Sequence, residues 1–348
     1  MKSFTKASCK AFRVTRYIDI PPSRESCVKL PQTTWVKASL HTHTTKSDGR
    51  LDPERVVEFY GSAGYQIVSI TDHNKVTSVP HSKVVTITGI EVDVGSEKTA
   101  SRYHVVILGL SEPPPQEARR SITDLLDWSR ENDCFAFIAH PYWSMLSGND
   151  LITVKGYHGI EVYNHGCEVE ISRGYSGSHW DYALSNGVFS YGLAVDDVHR
   201  YTVDALGGWV KIDADNLDPD SILKALMKGK FYASSGVIVK SFEFSENLAR
   251  VKMDGALAVK MLSGNTRGAY LSVKMLKQLV SSGEKQVEAE LWEDGFRIMF
   301  EELRVEGKLE NGRFTELEIK GALPVKNFLR LELIGDTDSV AWLNPVKV

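Results

Sequence analysis

Cysteine is scarce in this sequence, and long apolar runs are missing. Cys9, Cys27, Cys134 and Cys167 form no CxxC pair, which argues against a thiolate zinc site and a disulfide scaffold. No apolar stretch approaches the roughly 20 residues that a membrane span requires. The N-terminus has positive charges but no continuous apolar segment, so we expect no signal peptide. These absences predict a cytoplasmic protein with no membrane partner.

An excess of basic charge is missing as well. The 348 residues carry a formal net charge of −4, and the pI is about 6.2. Duplex nucleic acid is bound by basic surfaces, so we expect no duplex nucleic-acid partner. Hydrophobic residues make up 42% of the chain and charged residues 25%, which is typical of globular proteins. The length predicts two domains.

Residues 34–238 alternate eight short β-rich runs with helical patterns. Several runs, such as YQIVSITDH and CFAFIAHP, are apolar at consecutive positions, which is typical of strands buried on both faces of a parallel sheet. Asp-Pro pairs at 52–53 and 218–219 each supply an N-cap followed by proline at the first helical position. A further helix is expected within residues 115–132. The alternation predicts an α/β barrel or a doubly wound sheet.

Residues 239–348 have a different texture. Seven runs, among them GAYLSVKML and RFTELEIKG, mostly alternate apolar and polar residues and are separated by Gly, Asn and Asp turns. The 16 basic and 17 acidic residues of this region nearly cancel. The pattern predicts a smaller, antiparallel β-sandwich domain without a site motif. We expect residues 1–33 to form an N-terminal extension that packs on the first domain.

Histidines and carboxylates recur at the ends of the predicted strands. His41 and His43 stand two positions apart at the end of the first run, so their side chains share one face of a strand. Because the carboxyl ends of the strands form the rim of an α/β barrel, we expect residues near these ends to converge. The other candidates are Asp48, His73, Glu91, His104, His140, Asp197 and His199.

The donor atoms of these nine residues are nitrogen and oxygen only. Structural zinc sites are rich in thiolates, whereas catalytic sites use histidine and carboxylate and leave positions open. Zn²⁺, Mn²⁺ and Fe²⁺ suit such ligands, and Cu⁺ does not. Because one ion takes about four to six ligands, the set predicts two or three divalent cations.

The motifs HTHTTKSDG, TDHN, GIEV, the single His104, AHP and DVH follow in the order seen in the PHP family, the polymerase and histidinol phosphatase domains. The resemblance covers roughly residues 35–235, and the SDG version of the first motif resembles the small phosphoesterase branch. It implies a distorted, TIM-like (β/α)7 barrel with a two- or three-metal centre. The trailing β-domain resembles that of two-domain PHP phosphoesterases.

The resemblance also implies how the ligands divide among the ions. One ion would be held by His41, His43, Glu91 and Asp197. Glu91 would bridge to a second ion, held also by His104 and His140. The third would be held by Asp48, His73 and His199. The D-x-H spacing of the family selects Asp197 rather than its neighbour Asp196.

The expected activity is hydrolysis of a phosphate ester. A metal-bound water attacks phosphorus in line, while the cations neutralise the phosphate charge. Asp48, His199 or metal-bound water supplies the proton for the leaving group. The expected substrate is a nucleotide, a short oligonucleotide or another small phosphorylated metabolite. An anionic substrate needs cationic donors, for which the candidates are Arg200, Arg173, His165 and Lys75.

Two other functions fit the same sequence. The same activated water would attack an amide carbon in an amidohydrolase-type C–N hydrolase. Alternatively, the chain is a binding protein whose β-sandwich is the functional module. In that case Trp292 and Trp342 would offer stacking surfaces, although both residues also suit a buried core.

Overall fold

The computed structural model of the chain describes residues 28–30, 35–245, 247–264, 267–282, 287–300, 303–321 and 325–348. The described strands are β1 (Val28–Leu30), β2 (Val36–Ser39), β3 (Ile67–Ile70), β4 (Val85–Gly95), β5 (Arg102–Leu108), β6 (Phe135–Ile138), β7 (Gly159–Asn164), β8 (Tyr191–Val195), β9 (Trp209–Ile212), β10 (Phe231–Ser234), β11 (Val239–Ser245), β12 (Leu248–Ala256), β13 (Ala258–Ser263), β14 (Gly268–Ser272), β15 (Glu288–Trp292), β16 (Gly295–Phe300), β17 (Leu303–Glu310), β18 (Arg313–Lys320), β19 (Phe328–Ile334), β20 (Val340–Leu343) and β21 (Val346–Lys347). The helices are α1 (Pro53–Ser62), α2 (Ile122–Glu131), α3 (Gly148–Thr153), α4 (His165–Ile171), α5 (Gly177–Ser185), α6 (Pro219–Met227) and α7 (Val273–Ser282), and a short 3₁₀ helix spans Gln116–Arg119.

The elements of the first region follow the sequence pattern closely. Each of the eight β-rich runs contains one strand, from β2 to β9. Helices α1 and α6 begin at the two predicted prolines. The helix expected within 115–132 is interrupted, because the Ser121 side chain accepts a hydrogen bond from Asp124 N and so starts α2 after the 3₁₀ turn. The fold of this region is mixed α/β.

One large sheet of 14 strands runs through the molecule. Its order is β14-β13-β19-β20-β10-β9-β2-β3-β4-β5-β6-β7-β8, with β21 beside β19. Neighbours are parallel from β2 to β4 and from β6 to β8. Strand β5 is antiparallel to β4 and β6, and β9 is antiparallel to β2. The sheet is therefore mixed, and the purely parallel arrangement that the apolar runs suggested is wrong.

The residues after β8 return to those after β2. Thr42 forms a parallel bridge with Val198. Asp197 N donates to His41 O at 3.1 Å, and His43 N donates to Val198 O at 3.1 Å. These bonds set the end of β8 beside the end of β2, although the two strands are the farthest apart in this part of the sheet order.

The C-terminal strands divide between two sheets. Strands β11, β12 and β15 to β18 join β1 in a seven-stranded sheet. Strands β13, β14 and β19 to β21 extend the large sheet instead, through the antiparallel pair β10–β20. One apolar core contains residues of both sheets, including Phe242, Val251, Met261 and Leu331.

The alternating pattern of the GAYLSVKML run predicted a single strand, but the run forms a strand followed by a helix. Strand β14 ends at Ser272, and α7 begins at Val273. Val273, Leu276 and Leu279 are three residues apart and are buried together, so one helical face packs inward. The helical spacing within this run outweighed its resemblance to an alternating strand.

Buried polar and aromatic contacts join the C-terminal strands to the first region. Arg330 of β19 is 1% exposed and makes two hydrogen bonds, of 2.7 and 2.8 Å, to the carboxylate of Asp181 in α5. It also donates to Glu332 at 2.7 Å. Trp342 of β20 is 2% exposed and stacks on Tyr163 of β7, with ring centroids 5.6 Å apart. Trp342 and Phe328 belong to the apolar core of the first region, so the two regions are packed together.

Of the predicted N-terminal extension, the structure describes residues 28–30, which pair with β11 in the seven-stranded sheet. The rest of 1–33 lies outside the described residues, and so do Cys9 and Cys27. Cys134 and Cys167 are buried and free. Within the described part of the chain, no helix has the length and apolarity needed to cross a membrane.

Candidate metal centre

The two histidines of the first motif lie where β2 ends, and both are fully buried. Their backbone is fixed by the bonds to Asp197 and Val198 described above. The two imidazole rings are inclined by 52° to each other, and their Nε2 atoms lie 3.1 Å apart. Two imidazole nitrogens at this distance in a closed interior require either a proton or a cation between them and nearby negative charge.

Two carboxylates complete a compact group of four. Glu91 Oε2 lies 3.3 Å from His41 Nε2 and 3.2 Å from His43 Nε2. Asp197 Oδ1 lies 3.2 and 3.1 Å from the same two nitrogens. The five distances lie between 3.1 and 3.3 Å, which suits donor atoms that share one cation with bonds of about 2.0–2.2 Å. The group has the size of a tetrahedral metal site.

One atom of the group also lacks a proper hydrogen bond. Asp197 Oδ1 is buried, and no donor among the described residues is aligned to bond to it. A buried carboxylate oxygen left in this state is costly unless a cation satisfies it. The chemistry of the donor set and this orphaned oxygen both fit a divalent cation.

The charges of the group compensate one another. Burial alone would lower the pKa of His43, but the carboxylates of Asp197 and Glu91 raise this pKa to about 9. The pKa of His41 is also raised, because its burial is outweighed by Asp197, Glu161 and Glu91. Burial would raise the pKa of Glu91, yet the surrounding histidines hold it well below its usual value. A cation that binds here must displace protons from the histidines.

Glu91 connects this group to a second one. Its Oε2 atom also lies 3.2 Å from His73 Nδ1. Its other oxygen, Oε1, lies 2.8 Å from His104 Nδ1 and 3.3 Å from His140 Nε2. The two oxygens of one carboxylate therefore face different histidines, which is the arrangement that a bridging ligand requires.

The antiparallel direction of β5 explains why His104 reaches this place. His104 lies near the start of its strand, whereas Glu91 and His140 lie towards or beyond the ends of theirs. Because β5 runs opposite to β4 and β6, its beginning lies at the same edge of the sheet as their ends.

A third group lies at the exposed side of the cluster. Asp48 Oδ2 lies 3.4 Å from His199 Nε2 and 3.6 Å from His73 Nε2, and Asp48 Oδ1 lies 3.5 Å from His43 Nδ1. The Asp48 side chain is 53% exposed and the His199 side chain 33%. The structure thus brings all nine predicted ligands together. Its compact groups share members, since His43 lies in two of them and His73 in two, so the predicted division of the ligands among separate ions stays a prediction.

Two of these residues have strained backbone conformations. His140 has φ of 28° and Asp197 has φ of 53°, which are unusual for residues with a Cβ. Such conformations persist where surrounding contacts over-determine them, and they concentrate at functional sites. With this backbone, His140 Nε2 lies 3.3 Å from Glu91 Oε1, and Asp197 Oδ1 lies 3.2 Å from His41 Nε2.

Glu161 and Asn164 of β7 are functional candidates that the sequence analysis missed. Glu161 is fully buried, and its Oε1 lies 2.7 Å from His41 Nδ1, while its Oε2 accepts a hydrogen bond from His140 N at 2.7 Å. Asn164 Nδ2 donates to Glu161 Oε2 at 2.9 Å and to Asp197 Oδ2 at 3.1 Å. A carboxylate behind a ligating histidine fixes the ring and its tautomer. The signal was present, because the tetrapeptide GIEV occurs twice, at 89–92 and at 159–162.

Two other aspartates fix the loops that carry ligands. Asp72 accepts hydrogen bonds from Thr44 N and Ser47 Oγ, at 2.8 and 2.6 Å, and so holds the turn before Asp48. Gly49 closes that turn, because a Cβ there would lie 2.3 Å from His43 O. Asp196 accepts from the backbone nitrogens of residues 206–208, each at 2.8 Å. Asp196 thus points away from the histidines, and Asp197 is the residue of the pair that faces them.

The four residues predicted to contact a phosphate have other partners. His165 has both ring nitrogens engaged, by Tyr163 Oη at 2.9 Å and by Val203 O at 3.0 Å. Arg200 lies 3.7 Å from Glu170, and Arg173 Nη1 lies 3.1 Å from Met145 Sδ. Lys75 donates to the carbonyl of Lys46. Their role as phosphate ligands stays a prediction.

The two tryptophans of the C-terminal region differ. Trp342 is buried against Tyr163, so it belongs to the core and cannot serve as an open stacking surface. Trp292 is 47% exposed at the end of β15.

Comparison with known proteins gives two kinds of match, although no family model matches the chain. An uncharacterized protein from Methanocaldococcus jannaschii is 28% identical over 142 residues, which is 37% of this chain and 82% of that protein. A solved structure from Bacteroides vulgatus, described as a two-domain protein containing a predicted PHP-like metal-dependent phosphoesterase, has a TM-score of 0.49 at 14% identity. The match covers 92% of this chain and 96% of that one. An amidohydrolase from Chromobacterium violaceum, solved with bound sulfate and no metal, has a TM-score of 0.36 at 14% identity, covering 56% of this chain and 96% of that one.

Proposed function

We propose that this chain is a metal-dependent phosphoesterase. The observation that carries the proposal is Glu91, whose two oxygens face separate groups of histidines. Adjacent ligand groups that share a carboxylate suit neighbouring cations, and paired cations clamp the attacking and leaving oxygens of an in-line displacement at phosphorus.

We propose the division of ligands that the sequence resemblance implies. His41, His43, Glu91 and Asp197 would hold one divalent cation. Glu91, His104 and His140 would hold a second. Asp48, His73 and His199 would hold a third at the exposed side. With nitrogen and oxygen donors only, Zn²⁺, Mn²⁺ and Fe²⁺ are the ions that fit. Such ions supply an activated water and neutralise the charge of phosphate oxygens.

The protein's own residues would orient the ligands and provide a proton for the leaving group. Glu161 orients His41, and Asn164 holds Asp197. Asp48 and His199 are the most solvent-accessible members of the cluster, so a substrate would reach this side first. We propose that the proton for the leaving group comes from water on the cation that they would hold, or from whichever of the two is not bound to that cation. The substrate is a small phosphorylated molecule, of which nucleotides and short oligonucleotides are the leading candidates.

We infer that β2 to β8 form a distorted (β/α)7 barrel. The hydrogen bonds between the residues that follow β2 and β8 support this inference. We also infer that the two sheets of the C-terminal region pack as a β-sandwich, since they share one apolar core.

The test combines metal content with turnover. The purified protein is analysed for bound Zn, Mn and Fe, and phosphate release is then measured with nucleotides, sugar phosphates and short RNA in the presence of Mn²⁺. We expect metal at a stoichiometry of at least two per chain and turnover of one substrate class. His81→Gln should keep the metal content and turnover of the wild type, because His81 is exposed and its Nδ1 accepts hydrogen bonds from Lys83 N and Val84 N. Background turnover of every ester by metal-loaded protein contradicts the proposal.

A C–N hydrolase with the same cations is the competing activity. Inorganic phosphate resembles the product of a phosphoesterase and is expected to inhibit it competitively. An amidase is largely insensitive to phosphate. Cleavage of N-acyl substrates that phosphate fails to inhibit would therefore replace the phosphoesterase assignment.

A further inference from the structure

An exposed tryptophan stands directly beside the second ligand group. The ring centroid of Trp143 lies 4.9 Å from that of His140 and 6.0 Å from that of His104. Trp143 nevertheless remains 37% exposed. An indole in this position covers the histidines with one edge and leaves a large flat surface open to solvent.

The turn that carries Trp143 is tightly held. Ser144 N donates to His140 O at 3.0 Å, and Leu146 N donates to Pro141 O at 2.9 Å. Tyr142 N donates to Ser176 Oγ at 3.1 Å, which ties the turn to the start of α5. The position of Trp143 is therefore set by the backbone before any ligand arrives, which lowers the entropic cost of binding on it.

The exposed ligand group that contains Asp48 and His199 has polar surroundings. Lys46 lies two residues before Asp48, and its carbonyl accepts a hydrogen bond from Lys75 Nζ. The Trp143 side instead presents aromatic and apolar surface, since Tyr142 is 39% and Met145 66% exposed. The Arg173 guanidinium lies 5.8 Å from the centre of the Tyr142 ring. The surface beside Trp143 is thus more aromatic and apolar than the surface beside Asp48 and His199.

We propose that Trp143 forms a subsite for a flat ring in the organic part of the phosphate ester. This inference rests on the proposed phosphoesterase function and narrows its substrate class to esters that carry an aromatic ring within reach of the phosphate. Stacking on an aromatic side chain is sequence-tolerant and strong, and its loss on truncation weakens binding roughly tenfold or more.

The test uses two ligands that differ only in the flatness of the ring. Benzylphosphonate and cyclohexylmethylphosphonate cannot be hydrolysed and have the same connectivity. Their binding to the full-length, Mn²⁺-loaded protein is measured by isothermal titration calorimetry. We expect benzylphosphonate to bind roughly tenfold more tightly. In Trp143→Leu, which keeps an apolar side chain but removes the flat surface, this preference should vanish, and in Trp143→Phe it should largely remain.

Trp292→Leu is the matched control, because Trp292 is a comparably exposed tryptophan in the C-terminal region. It should leave the preference unchanged. Equal affinity of the wild-type protein for the two phosphonates overturns the subsite, and so does a preference that survives in Trp143→Leu.

Inorganic phosphate separates this failure from failure of the function itself. If inorganic phosphate binds the loaded protein while the two phosphonates bind equally, the subsite is wrong and the phosphoesterase proposal stands. If the loaded protein binds none of the three anions, both proposals fail.

Discussion

The two regions of this molecule use the same charged residues in opposite ways. In the first region, most of the candidate ligands lie at or beyond strand ends, and five of them are buried together: His41, His43, Glu91, His140 and Asp197. In the C-terminal region, opposite charges face one another across strands, as in the pairs Arg297–Glu306 and Lys260–Glu332, at 2.6 and 3.0 Å. All ten histidines of the chain lie between His41 and His199. A strand end can gather side chains from many strands at one point, whereas a strand face spreads them along a surface. The candidate ligands therefore meet mainly at strand ends, whereas the paired charges of the C-terminal region stand on strand faces.

The largest expected effect comes from breaking the centre of the buried cluster. Changing a residue behind a metal ligand typically costs about 10–100-fold in activity or metal affinity. Glu91 faces five histidines directly, so Glu91→Gln is expected to exceed that range and to reduce phosphate release to background. Metal content measured on the same preparation should fall by at least one ion per chain.

The matched control is Glu318→Gln in the C-terminal region, which removes a partly buried carboxylate that pairs with Arg250 and belongs to none of the ligand groups. Its activity should equal that of the wild type. A Glu91→Gln protein with full activity and full metal content would remove Glu91 from the site.

The next effect concerns the contact between the regions. Arg330→Ala leaves the carboxylates of Asp181 and Glu332 without their buried partner, and breaking a buried pair in this way costs about 3 kcal/mol or more. Urea unfolding followed by tryptophan fluorescence and by circular dichroism measures it. Because the two regions are packed together, both probes should shift together.

The comparison variant is Arg297→Ala, whose guanidinium is exposed and pairs across β16 and β17. Its midpoint should barely move. Two separate unfolding transitions in wild-type protein would show that the regions are independent after all.

A smaller effect is expected from the residue behind His41. Glu161→Gln keeps the shape of the side chain and weakens its bond to His41 Nδ1, so metal affinity should fall about 10–100-fold. Competition with a chromogenic chelator measures the affinity. Glu168→Gln is a control from α4, because its Oε2 accepts a hydrogen bond from Gly174 N instead of contacting a ligand. Unchanged affinity in Glu161→Gln would reduce Glu161 to a packing residue.

The mildest test varies pH alone. In the metal-free protein the pKa of His43 is raised to about 9 by Asp197 and Glu91, against 6.5 in a free histidine, so folding takes up a proton between these values. The stability that this proton confers is fully present below pH 6.5 and is lost as pH rises through 9. Metal binding displaces the proton, so metal affinity should rise about tenfold per pH unit in this window for each proton displaced.

Calorimetry in buffers of different ionisation enthalpy counts the displaced protons. Urea unfolding of chelator-treated protein should show falling stability over the same window. A flat dependence of both quantities on pH would mean that His43 is neutral in the metal-free state.

The sequence predicted the strands and the ligand cluster for an identifiable reason. Several strands of the first region are apolar runs followed by a residue such as His41, His73 or His140, and this order can be read without knowing the direction of any strand. The direction of β5 was not predictable in this way. An apolar run reads the same in a parallel and an antiparallel strand, and the placement of His104 at the start of its run was the one available hint.

The supporting carboxylates were hidden for a different reason. Glu161 and Asp72 are fully buried, yet in sequence they look like ordinary polar residues at or near strand ends. Their roles depend on which histidine or hydroxyl lies behind or beside them, and that is a property of the tertiary structure. The repeated GIEV shows that the same local pattern can place one glutamate among the ligands and another one layer behind them.

The stacking of Trp342 on Tyr163 has a consequence for biosynthesis. Tyr163 lies on the same strand as Glu161 and Asn164, and the ring that backs this strand comes from position 342 of a 348-residue chain. Every candidate ligand is therefore synthesised long before Trp342, the residue that packs on Tyr163. A nascent chain that has not yet reached Trp342 lacks the ring that packs on Tyr163, so we expect the ligand cluster to become rigid only after β20 has been synthesised.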